Sequence, residues 1–173
     1  VGGMIVETET YAAEGDPACH TSVRPSARAF FEANSPGTVY AYINYGVHWL
    51  LNVLAGDGII LIRALQPTLG IDLIRQRRQQ TVATSLCSGP GKVGQAIGLS
   101  GSDHGTSLLT ATRHVLGRNE EFDASGILTD VRVGLSTGLD RHWRFLVADN
   151  PHVSVPHGKA LAKKRPTRKK GVS

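Results

Sequence analysis

Between Thr38 and Leu65 the chain reads "TVYAYIN", "YG", "VHWLLNVLA", "GDG" and "IILIRAL". Three runs of β-branched, aromatic and aliphatic residues are separated only by short turn signals. Strands joined this tightly pair antiparallel, because a parallel return needs a crossover of a dozen or more residues. An antiparallel meander is therefore the unit on which the rest of the fold must be assembled.

"MIVETETY" (Met4 to Tyr11) is also rich in strand formers. Period-2 geometry puts Ile5, Glu7, Glu9 and Tyr11 on one face. Residues 12–28 are rich in Gly, Pro, Ser and His and read as a long loop. "ARAFFEA" reads as a short helical turn ended by "NSPG". A helix is expected from about Ile71 to Gln80, with Arg75, Gln76, Arg77 and Arg78 on its wet side. "GPGKVGQAIGL" reads as a glycine-rich helix start, and "RVGLST" and "HWRFLVA" as late strands. The fold class is α+β, a single domain built on a curved, mostly antiparallel β-sheet with flanking helices. Residues 1–158 form that domain and residues 159–173 a basic, flexible tail.

The 173 residues are 40% hydrophobic and 19% charged, which fits a folded domain with a real core and excludes a disordered chain. No apolar run approaches the ~20 residues of a membrane-spanning helix, and no secretory signal pattern is present. Cys19 and Cys87 are too few for a disulfide framework, so a reducing compartment is expected: bacterial cytoplasm or a nucleus. Formal net charge is +5, yet seven of the nineteen basic residues lie between Lys159 and Lys170. The remainder carries twelve basic against fourteen acidic residues. The high isoelectric point thus belongs to the tail, which is either a handle for a polyanion or a merely solvated end.

Several residues could carry chemistry. A carboxylate such as Glu9, beside Tyr11 and a His-bearing loop, can serve as a general base. The alternative is that Glu7 or Glu9 is the polar side of a half-exposed strand. Tyr40, Tyr42 and Asn44 share a face, while Tyr45 stands before Gly46 at a turn. Such tyrosines are either strand aromatics or a stacking surface with a wedge at its tip. Arg63 inside an apolar run needs a buried partner, and Asn52 in "WLLNVLA" needs satisfied amide bonds. Lys92 in "GPGK" lies at a helix start, a natural phosphate contact, but without P-loop spacing. Cys19, His20 and Asp16 lack metal-ligand spacing, so no metal is expected.

In order and spacing, "IVETETY", "DPACH", "GTVYAYINYGVHWLLNV", "LIRALQP" and "LCSGPGKVGQAIGL" resemble the alkyladenine (3-methyladenine) DNA glycosylase family, with weaker similarity in "RVGL" and "PHVSV". The resemblance covers roughly Gly3 to Val155. It implies a monofunctional enzyme of base excision repair, without lyase activity, metal or cofactor, acting as a monomer on double-stranded DNA with damaged purines. It implies Glu9 as the base that activates water, Arg63 as the group that helps hold that water, and a backbone carbonyl contributed by Val153. Tyr11, His20 and Tyr42 correspond to the pocket for the flipped base, and Asn52 to an amide that screens its substituents. Tyr45 corresponds to the residue inserted into the duplex, and Lys92 to a phosphate contact. Lys163, Lys164 and Arg165 of the tail are expected to meet DNA as well.

Two departures stand out. "PSARAFF" carries Ala29 where the family has Asn. The chain also opens on Val1 where the family has a preceding helix and strand, so the sequence reads as lacking an N-terminal segment. The rival readings are a damaged-DNA binder without catalysis and an RNA-binding module on the same aromatic sheet.

Overall fold

A computed structural model of the chain describes residues 1–110, 114, 116–117 and 123–160. Six antiparallel strands form one open sheet in the order β2-β3-β4-β1-β6-β5. They are β1 (Gly2–Ala12), β2 (Val39–Asn44), β3 (His48–Leu54), β4 (Gly58–Leu69), β5 (Ile127–Asp130) and β6 (Arg144–Val147). The meander β2-β3-β4 is the one its short turns require. β4 runs past Pro67, which pairs opposite Gly3 beside a register shift near the end of the pairing with β1.

The alternating residues of β2 and β3 separate two cores. Val39, Ala41, Leu51 and Val53 face α3 (Ile71–Arg78) and α4 (Pro90–Ile97), packing with Ile74, Leu86, Val93 and Ala96. Tyr40, Tyr42 and Leu54 face the opposite side, against α1 (His20–Val23) and α2 (Pro25–Ala33). Pro25 and Pro90 each sit at a helix start, where a missing N–H costs nothing. A Cβ on Gly94 would lie 2.0 Å from the Trp49 carbonyl oxygen, so α4 closes on β3 only because that residue is glycine.

Four expectations are corrected. Residues 12–28 are not all loop: α1 and the start of α2 lie there, and α2 begins at Pro25. "RVGLST" is not a strand; β5 precedes it at Ile127–Asp130, and the Arg132 side chain and the Val133 N–H bond to β1. Ile5 does not share a face with Glu7, Glu9 and Tyr11. Register shifts between Ile5 and Thr8 form a bulge in β1, so Ile5 packs on the α3/α4 core while Glu7 turns to the other side. Arg77 and Arg78 are half-buried rather than wet, since Arg77 bonds the Ala96 carbonyl and Arg78 the Leu86 carbonyl, and α3 ends at Arg78.

Candidate active site

The bulge in β1 has a chemical consequence. It aims two carboxylates, Glu7 and Glu9, at Arg63 on the neighbouring strand β4, and all three side chains are buried. Arg63 Nε donates to Glu7 Oε1 at 3.1 Å and its Nη1 to Glu9 Oε2 at 3.3 Å. Burial works against the guanidinium charge, but Glu9 and then Glu7 more than offset that, holding the Arg63 pKa above its ordinary value. Neither glutamate is therefore the solvated side of a strand.

Glu9 has no exposed surface and accepts two further bonds. The Tyr11 hydroxyl donates to Oε2 at 2.7 Å, and the backbone N–H of Val133 donates to Oε1 at 2.6 Å. The phenol stays protonated: burial first, then the Glu9 charge, push its pKa well above the ordinary tyrosine range. Oε1 thus keeps a lone pair in reserve.

Tyr11 also walls a half-open pocket of about 110 Å³, with His20, Tyr40, Tyr42, Asn52, Ile59, Leu135 and the Ala18–Cys19 turn. Its lining holds the rings of Tyr11, His20, Tyr40 and Tyr42, a surface on which a flat ring can stack. His20 and Tyr42 rings stand 4.5 Å apart, and His20 Nδ1 lies 3.0 Å from the Tyr40 hydroxyl. Burial, helped by nearby Arg24, pushes the His20 imidazole down to about 4. Burial pushes Tyr42 up to about 12. The pocket wall is therefore neutral and aromatic at pH 7. Asn52 spends its amide hydrogens on the Tyr40 and Leu50 carbonyls at 3.0 and 3.3 Å, which fixes its carboxamide in the wall.

Behind Tyr11 stands a second charge pair. Arg132 reaches both oxygens of Asp16 at 2.5 and 3.0 Å, and its guanidinium lies 4.6 Å from the centroid of the Tyr11 ring. It also bonds the Thr10 carbonyl at 3.0 Å. Arg132 thereby ties the segment that carries Val133 to β1 and to the turn that leads into His20.

The remaining expected residues are spread around this centre. Tyr45 caps the β2-β3 hairpin, 88% exposed and with φ of 52°, flanked by the exposed Ile43 and Val47. Lys92 lies in the first turn of α4 and bonds Ser88 Oγ at 3.1 Å; burial and then Arg78 hold its pKa below the ordinary lysine value. Val153, whose backbone carbonyl is expected to meet the attacking water, lies in the segment that follows β6. The Val153 N–H donates to Asn150, and it is the next residue, Ser154, that reaches the cluster through Glu7 and Arg63. A backbone group that does reach Glu9 is the N–H of Val133. Lys163, Lys164 and Arg165 lie outside the described residues.

The family model for methylpurine-DNA glycosylase matches residues 1–151. The chain belongs to the methylpurine-DNA glycosylase family. Among its relatives, a protein of Prosthecochloris aestuarii is 41% identical over 156 residues, covering 88% of this chain and 74% of that protein. One from Rhodopseudomonas palustris is 41% identical over 160 residues, covering 90% and 78%. One from Salinibacter ruber is 39% identical over 166 residues, covering 88% and 80%. All three are provisionally named as 3-methyladenine DNA glycosylases.

Within this methylpurine-DNA glycosylase chain, the matched stretch holds Glu9, Arg63 and every residue of the aromatic pocket, while Val153 and Ser154 lie just past it. Sequence reasoning missed Val133, Arg132 and Ser154 as participants. Tyr40 packs on Phe30, with ring centroids 5.5 Å apart, and lines the pocket too. A signal for Arg132 existed in "RVGL", where a charged residue breaks an apolar run, as Arg63 does in "IILIRAL".

Proposed function

We propose that this chain excises alkylated or deaminated purines from duplex DNA by hydrolysis of the N-glycosyl bond. The observation that carries the reading is one contact: the tyrosine that walls the aromatic pocket also bonds a fully buried carboxylate. A base inside a duplex hides its glycosidic bond, so it must first be rotated out, at a cost of about a few kcal/mol. Stacking against Tyr11, Tyr42 and His20 repays part of that cost, at ~1–3 kcal/mol per base. A purine alkylated at N3 or N7 is cationic, and a neutral, electron-rich wall favours it further.

As the carbon–nitrogen bond breaks, its electron pair leaves with the base and the sugar becomes oxocarbenium-like. Glu9 supports that cation electrostatically and takes a proton from the water whose oxygen attacks C1′. Arg63 and the Val133 backbone hold the carboxylate in position. No lysine lines the pocket among the described residues, so water rather than a protein amine is the proposed nucleophile. Tyr45 fills the space the base leaves, Asn52 screens substituents on the flipped ring, and Lys92 and the basic tail from Lys159 onward meet phosphates. Hypoxanthine and ethenoadenine are proposed substrates beside 3-methyladenine and 7-methylguanine.

The test is duplex DNA carrying a single hypoxanthine or ethenoadenine, treated with the protein and then with alkali. Strand breaks that depend on alkali, and that disappear with Glu9→Gln, are expected. Lesion-selective binding with no breaks would instead favour a non-catalytic damage binder.

A further inference from the structure

Glu7 is the most heavily bonded side chain of the buried cluster, and the chemistry above gives it no part. Its Oε1 accepts from Arg63 Nε at 3.1 Å, Arg144 Nε at 2.7 Å and Ser154 Oγ at 2.8 Å. Its Oε2 accepts from the Ser154 backbone N–H. Arg144 continues outward to Asp130 at 3.0 Å and to the Val155 carbonyl. The result is an alternating chain, Glu9–Arg63–Glu7–Arg144–Asp130, which crosses β1, β4, β5 and β6. Its three carboxylates face two guanidinium groups, so acidic groups outnumber basic ones within the chain of contacts.

A buried ion network of this kind is weak evidence for stability, since well-packed apolar residues often do as well. Its value lies in where it directs charge. Arg63 is drawn to Glu7 as closely as to Glu9, at 3.1 and 3.3 Å. An arginine whose charge is divided between two carboxylates neutralises neither. Glu9 is left with net negative charge on the side of Tyr11 and the pocket, where the sugar cation must form. Ser154 completes the arrangement: its hydroxyl accepts from Arg63 Nη2 at 3.1 Å and donates to Glu7, clamping the guanidinium plane from the C-terminal segment.

We propose that Glu7 is a positioning residue for excision, which divides the charge of Arg63 and so leaves that of Glu9 free to act on the reacting sugar. This rests on the glycosylase reading. With Glu7 neutral, Arg63 turns its whole charge on Glu9. The excision step should slow while the pocket and the DNA-facing surface stay as they were.

The experiment is single-turnover excision of hypoxanthine from duplex DNA across a range of enzyme concentrations. It compares the parent, Glu9→Gln, Glu7→Gln and Ser154→Ala. The half-saturating enzyme concentration reads DNA engagement, and the plateau rate reads the chemical step. Glu7→Gln is expected to lower the plateau rate roughly tenfold or more, the scale of one bond to a charged group, with half-saturation unchanged within about twofold. Ser154→Ala is expected to lower it by about threefold in the same pattern, and this smaller change decides the matter if Glu7→Gln does not fold. Parent-like plateau rates in the folded variants would overturn the proposal. So would a change confined to half-saturation. A parent that excises nothing would instead overturn the glycosylase reading on which the proposal stands.

Discussion

The hydroxyl of Tyr11 donates to Oε2 of Glu9 at 2.7 Å, while the ring of the same residue walls the aromatic pocket. One side chain thus touches both the stacking surface and the carboxylate. Tyr11→Phe separates the two roles. The ring and its stacking remain, so affinity for lesion-bearing duplex should stay within about twofold of the parent. The carboxylate loses one of its three donors, and a bond to a charged group is worth about 1.5–3 kcal/mol. Single-turnover excision should fall by roughly tenfold to a hundredfold. Tyr11→Ala should weaken binding as well. Equal losses of binding in both variants would show that the hydroxyl has no separate part.

Asp16 and Arg132 form a fully buried pair remote from solvent, with both side chains at 0% exposure. Burial pushes the Asp16 carboxyl up, and the bonds from Arg132 overcome this and hold it below its ordinary value of 3.8. Removing one partner strands a charge, at a cost of about 3–5 kcal/mol. Asp16→Ala should therefore be strongly destabilising in urea unfolding, whereas replacing both by apolar residues should recover most of the loss. Linkage gives the pH sign. A carboxylate whose folded pKa is depressed contributes stability above its unfolded pKa and loses it on acidification. The contribution should persist above about pH 4 and fade below it. A single variant as stable as the parent would contradict the stranded-charge account.

Strand alternation made much of this legible. Tyr40 and Tyr42 fall on one face and Val39 and Ala41 on the other because a strand has period 2, and a lone arginine in "IILIRAL" announces a buried anion. The same rule failed at Ile5, where a bulge that no residue type signals reverses the face. It also failed at "RVGLST", which is held to β1 by the Arg132 side chain and the Val133 N–H and not by strand pairing. Val133 was invisible for a further reason: it serves through its backbone N–H, and any residue has one. Ser154 joins Glu7 across a separation of 147 residues, which spacing arguments do not reach.

Tyr45 occupies the left-handed region at the hairpin tip with nearly all its ring in solvent. A non-glycine residue there is strained by roughly 1–2 kcal/mol. Tyr45→Gly should leave thermal stability equal to or above that of the parent. Excision from a paired lesion should nonetheless drop, since nothing then fills the emptied stack. Excision from single-stranded DNA, which has no stack to fill, should change far less. Equal losses on both substrates would assign Tyr45 to general DNA affinity and not to insertion.

His20 borders the pocket, and burial, followed by Arg24, pushes its imidazole down to about 4 from 6.5. The sign of its linkage is opposite to that of a paired histidine. Between those two values the unfolded chain holds a proton that the folded chain refuses, so stability rises with pH across this window. It should fall as the solution is acidified below about 6.5 and level off near 4. Because His20 is part-exposed, solvent screening makes this loss modest. At pH 6 and above the ring is neutral and adds no like charge against a cationic base. The check is the imidazole proton resonance of His20, followed by NMR from pH 8 to 4. A midpoint well below 6 is expected. A midpoint near 6.5 would make the pocket cationic in mild acid, and lesions carrying their own charge would then lose affinity as the pH falls.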